Sequence, residues 1–283
     1  GIEIDLIAEY RHGIDFVERF MLKNVHVKAI EEIQEDFLVK RFREVSWLKA
    51  WGKPATTYPS PDNFVQGTSE RLILLAAYLK NTNQWDTWHI ENDNLIYGNF
   101  DKITPHLKDD KITCCYMGSK YVVFNLVYTP DPLLLYTAMQ WYVDQLAKGN
   151  DWICQAYGLE MVHEMTVMSQ YKELSFLPSL PNEGTIEGYY FDPASYGQFI
   201  GGTNNGHPPG FTDKINHNIG KSHGSLWTDV WYNPARKSPF IKLHDSLVEG
   251  KSEGCFFTKN DYPALFNLHM HNKTKMKEFI SYE

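Results

Sequence analysis

Residues 85–100 read WDTWHIENDNLIYGNF, and within them Glu91, Asn92 and Asp93 form the stretch best suited to metal chemistry. Trp85, Trp88 and Ile90 alternate as a short buried strand would. Strand side chains repeat every second residue, so Glu91 and Asp93, at the strand's exit, are expected to point the same way. Two hard carboxylate oxygens a few ångströms apart suit Mg²⁺ or Mn²⁺, ions that also hold a diphosphate. A lone acid-x-acid triplet is more often an acidic turn. Its meaning depends on its company.

That company comes from three other places, and Arg71 is a separate candidate for the nucleotide. Residues 264–273 read ALFNLHMHNK, where His269 and His271 follow an apolar strand. An imidazole is a sensible third ligand beside carboxylates when Mn²⁺ is the ion. Strand parity puts both histidines on one side, so either is eligible. Lys273 beyond them is either a phosphate contact or the start of a solvated basic run with Lys275 and Lys277. Residues 160–168 read EMVHEMTVM, with Glu160 and Glu164 four apart and on one face of a helix predicted over about 158–172. Residues 191–202 read FDPASYGQFIGG. There Asp192 and Gln198 offer hydrogen bonds to hydroxyls, while Gly201 and Gly202 permit close backbone approach to a ligand. Arg71 lies at the start of a helix predicted to open at Thr68 or Ser69. Helix N-termini favour anions, and Arg binds phosphate bidentately.

Taken in order, these motifs are an acidic triplet after a strand, an acid-bearing helix start, an FD-x(4)-GQ-x-x-GG segment and a late His-x-His. Over roughly residues 67–280 the combination resembles the GT-A class of nucleotide-sugar glycosyltransferases, particularly bacterial and large-virus members. The resemblance implies a GT-A-like α/β fold in which Glu91, Asn92 and Asp93 stand for the DxD motif, with Glu replacing the first Asp. Asp93 would then be a metal ligand, and Glu91 would touch the metal through water or hold the ribose. In such enzymes a late His closes the metal site, a role open to His269 or His271. An inverting transfer needs a carboxylate to take the acceptor hydroxyl's proton. Glu164 occupies the place where the resembled enzymes carry an acid, with Glu160 as its rival. The implied cofactor is Mn²⁺ or Mg²⁺. The implied partners are a UDP- or GDP-sugar donor and a saccharide or glycan acceptor.

Two other readings use different residues. His207, His217, His223 and His244 suggest a metal-dependent hydrolase or oxygenase, although their spacing matches neither HExxH nor an HxD start. An aromatic content of 14% also suits a non-catalytic carbohydrate-binding protein, since such rings stack on sugar faces as well as filling cores.

The elements that must position these residues follow from periodicity. Residues 2–22 show a helical apolar pattern, 24–30 alternate as a strand, and 32–48 are again helical. A Pro- and Gly-bearing loop over 52–67 precedes the nearly all-apolar helix that carries Arg71. Strands are predicted at 112–116 and 121–127, joined by a hairpin-like turn, and the segment 129–132, TPDP, starts a helix to Ala147 that stops at Lys148 and Gly149. Short strands follow near 226–231, 240–243, 254–257 and 264–268, after a long irregular segment over 181–224.

At 283 residues, with 43% hydrophobic and 22% charged residues, the chain can bury a full core. It reads as one GT-A-like α/β domain over 1–283, a mixed central sheet flanked by helices. Its nucleotide and metal half is expected over 1–127 and its acceptor half over 128–283. A net charge of −8 argues against nucleic acid or an anionic membrane as partner. No apolar run approaches the ~20 residues that cross a bilayer. The four cysteines show no zinc spacing and read as free thiols. No signal-peptide pattern follows Gly1, so cytoplasmic action is the expectation.

Overall fold

The structure, a computed structural model, describes residues 3–46, 64–117, 121–179, 183–193, 196, 227–233, 238–243 and 264–270. In chain order its first elements are β1 (Ile4–Ala8), α1 (Tyr10–Arg19), β2 (Val25–Ala29), α2 (Ile30–Ile33), α3 (Phe37–Ser46) and α4 (Phe64–Thr82). Then come β3 (Thr87–Ile90), β4 (Asn94–Ile96), α5 (Phe100–Ile103), β5 (Ile112–Met117), β6 (Tyr121–Thr129), α6 (Pro132–Leu146), α7 (Asn150–Tyr157) and α8 (Glu164–Met168). The last are β7 (Leu174–Phe176), β8 (Tyr189–Tyr190), β9 (Trp227–Asn233), β10 (Ser238–Leu243), β11 (Ala264–Leu265) and β12 (Asn267–His269). The chain is thus mixed α/β. No helix among the described residues is long and apolar enough to cross a membrane. Contacts divide it into two compact units, Gly1–Asp86 with Asp131–Tyr171, and Thr87–Pro130 with Lys172–Glu283.

The first unit is mostly helical. β1 and β2 pair in parallel around α1, the usual result when two strands are joined by a crossover helix. The single helix expected over 2–22 is therefore a strand followed by a helix. Ile4 and Leu6 alternate with Glu3 and Asp5, a period of two at the head of a stretch whose later residues follow 3.6. The helix expected over 32–48 is also divided. Asp36 interrupts it, and its carboxylate accepts the Leu38 N–H at 2.8 Å as α3 begins. The core here is α4 against α3 and α6. Residues 72–79 of α4 are all buried, as a sandwiched apolar helix requires. In α6, Leu135, Ala138, Met139, Tyr142, Val143 and Leu146 form the buried stripe. Asp131 caps α6 by accepting the Leu133 N–H, Pro132 opens it, and Gly149 supplies a φ of 90° beyond its end.

The second unit is built from strands. A mixed sheet runs β3-β6-β5-β7, antiparallel except for β5 with β7. β5 and β6 form the expected hairpin. β6 is central, and its residues from Val122 to Thr129 are all buried. The alternation read over residues 85–90 starts too early, and the strand is not the buried one expected, since Ile90 is 38% exposed and the rest of β3 is half-buried. Trp85 lies outside β3 and is 56% exposed, while Trp88 packs on Phe100 and Tyr128. The strand expected over 264–268 is broken at Phe266. β11 pairs with β8, whereas β12 pairs with β4. At the break the Phe266 N–H donates to the Tyr190 carbonyl, and its own carbonyl accepts the Tyr97 N–H. Its ring packs on Phe100, Tyr189 and Phe191 and occupies the space a Cβ on Gly98 would need. The chain thereby changes sheets within one residue.

Candidate metal centre

Three backbone contacts build the site. The Glu91 N–H donates to the Asn125 carbonyl of β6 at 3.0 Å, anchoring the end of β3. The Asn94 N–H returns to the Glu91 carbonyl at 3.1 Å, closing a turn over residues 91–94. β4 then pairs antiparallel with β12, Asn94 opposite His269, and the Met270 N–H continues the ladder to the Asp93 carbonyl at 2.8 Å. Glu91 and Asp93 are thus brought together by a tight turn and not by strand parity.

The side chains meet within that frame. His269 Nε2 lies 3.0 Å from Asp93 Oδ1 and 3.2 Å from Glu91 Oε2. One ligand atom from each of the three residues falls within 4.8 Å of the others. The side chains of His269, Glu91 and Asp93 are only 5%, 10% and 16% exposed. Burial opposes a charge on the imidazole. The hydrogen bonds and negative charges of Asp93 and Glu91 overcome it and raise the pKa of His269 to about 9. A divalent cation held here would take the place of that proton, since a histidine ligand must be neutral. Two carboxylates with a neutral imidazole carry a charge of −2, which matches a divalent ion. The mixed oxygen and nitrogen donors fit Mn²⁺ better than Mg²⁺, which takes oxygen almost exclusively.

Asp192 is placed differently from its expected role toward a sugar. It is fully buried, and both its oxygens serve backbone: Oδ2 accepts the His269 N–H at 2.9 Å and Oδ1 the Tyr196 N–H at 2.8 Å. Arg71 lies well inside α4, because the helix begins at Phe64 and not at Thr68, so the argument from a helix N-terminus lapses.

Glu164 and Glu160 belong to the first unit. The single helix expected over 158–172 does not form. Gly158, left-handed at φ 65°, ends α7, and Glu164 is the first residue of the short α8. Glu160 is exposed and precedes that helix, so the two acids do not share a helical face. Glu164 is buried. Ser69 Oγ donates to its Oε2 at 3.4 Å and lies 3.0 Å from the Tyr142 hydroxyl. Burial, and then the charge of Glu164, push the Tyr142 phenol up, so it stays neutral. Gln198, Gly201, Gly202, His271 and Lys273 lie outside the described residues, as do His207, His217, His223 and His244.

Three asparagines at the heart of this region escaped the sequence reading. Asn94 Nδ2 donates to the Asn125 carbonyl at 2.8 Å, and Asn267 Nδ2 donates to Asn94 Oδ1 at 2.8 Å. Asn125 Nδ2 donates to the Asp192 carbonyl at 2.7 Å. A signal existed: Asn125 in YVVFNLVYT and Asn267 in ALFNL are amides inside otherwise apolar strands, and buried polar groups must find partners.

No protein family, no curated protein and no solved structure matches the chain.

Proposed function

We propose that the protein is a metal-dependent glycosyltransferase that moves a sugar from a UDP- or GDP-sugar to a saccharide or glycan acceptor. The observation that carries this reading is the convergence of Glu91, Asp93 and His269, a DxD-like turn closed by a late histidine. Transfer from a nucleotide sugar releases a nucleoside diphosphate, and a bound divalent cation neutralises the charge that develops on it. Asp93 and Glu91 hold that cation through hard oxygens, and His269 biases the choice toward Mn²⁺.

Thermal shift with UDP, GDP and CMP, each with and without Mn²⁺, tests the reading. A transferase is stabilised by one nucleotide only when metal is present, following RT ln(1 + [L]/Kd). Indifference to all three in the presence of Mn²⁺ contradicts it.

A further inference from the structure

We infer that Asp192 is a positioning residue for the metal centre, fixing through its carboxylate the strand register that aims the His269 imidazole at Glu91 and Asp93; this rests on the metal reading above. β12 has three residues and, among the described residues, pairs only with β4, and a two-stranded ladder is marginal by itself. A slip of one residue would turn His269 to the opposite face and empty the imidazole position. The Met270 N–H points at β4, where it meets the Asp93 carbonyl, so in an antiparallel strand the His269 N–H points away from β4. On that outer side stands Asp192 Oδ2, 2.9 Å away.

Asp192 is itself fixed on every side. Its N–H donates to Asn267 Oδ1 at 2.9 Å. Its carbonyl accepts Asn125 Nδ2 at 2.7 Å and Asn267 Nδ2 at 3.1 Å. Its second oxygen holds the Tyr196 N–H. A carboxylate with no exposure is costly unless hydrogen bonds compensate it. A hydrophobic residue would suffice if the position only filled space. The partners chosen instead connect Asn125 of β6, Asn267 of β12 and Tyr196 to His269, whose ring enters the cluster.

The test uses the full chain loaded with Mn²⁺ and reads electron spin-echo modulation from a coordinated imidazole nitrogen, with affinity from titration. The parent protein should show that nitrogen coupling. D192N should remain folded by circular dichroism, lose most of the coupling and bind Mn²⁺ about 10-fold or more weakly, as supporting-shell changes do. D192S is read the same way if D192N does not fold. Nitrogen coupling in the variant equal to the parent's overturns the inference, whether or not affinity falls. Absence of nitrogen coupling in the parent overturns the metal reading itself, and the inference with it.

Discussion

His269 and Asp93 are joined through both ring and backbone: Nε2 lies 3.0 Å from Oδ1, and the N–H immediately following His269 donates to the Asp93 carbonyl at 2.8 Å. The second contact sets the first, because the ladder that continues to Asp93 also places the imidazole beside its carboxylate. Asp93→Ala should therefore abolish Mn²⁺-dependent nucleotide binding with little loss of fold, since the side chain contributes charge and not packing. Glu91→Ala should weaken binding less. Isothermal titration with Mn²⁺ and nucleotide measures both, and parental affinity in Asp93→Ala would remove the residue from the site.

His269→Ala should lower Mn²⁺ affinity sharply, whereas His271→Ala should change it little, because the structure brings His269 into the cluster. The reverse order in a metal titration would transfer the ligand role to His271.

Gly98→Ala should destabilise the protein by roughly 1–3 kcal/mol, the usual cost of overpacking. The added methyl overlaps the Phe266 ring, and that ring is packed against three aromatic neighbours. Denaturant midpoints measure the effect. Because Phe266 immediately precedes β12, Mn²⁺ affinity should fall with stability, and an unchanged midpoint would show that the ring has room to move.

Burial holds His163 well below its ordinary value, at about 4. Between about pH 6.5 and 4 the unfolded chain binds a proton there and the folded protein does not, so stability falls as pH falls through that window. The slope is at most about 1.4 kcal/mol per pH unit from this one group. His163→Gln should flatten it, since the Thr166 hydroxyl still accepts the His163 backbone N–H after the change. Melting curves across the window check this, and an unchanged slope would mean another group titrates.

The residues of the candidate metal centre were legible in the sequence because hard acids in an x-spaced pair and a late histidine are chemically distinctive. The way they meet was less so. Glu91 and Asp93 converge through a turn whose hydrogen bond joins residues 91 and 94, a contact that alternation does not reveal. The split of residues 264–269 between two sheets depends on Phe266 fitting over Gly98, a non-local fact. The β5–β6 hairpin and the capped α6 were readable because their signals are local: two apolar runs close together, and an Asp-Pro start. The helix boundary within residues 32–46 was lost because a single residue, Asp36, ends a pattern that periodicity carries onward, whereas α7 gave no periodic signal and the helix expected over 158–172 shrinks to the five residues of α8.

The most direct measurement is release of nucleoside diphosphate from a panel of UDP- and GDP-sugars, with Mn²⁺, with chelator, and with Mn²⁺ restored. A metal-dependent glycosyltransferase predicts turnover of one donor that chelator stops, that Mn²⁺ restores, and that Asp93→Ala lacks throughout. Turnover indifferent to chelator, or no turnover of any donor with Mn²⁺ and acceptor glycans present, would contradict it.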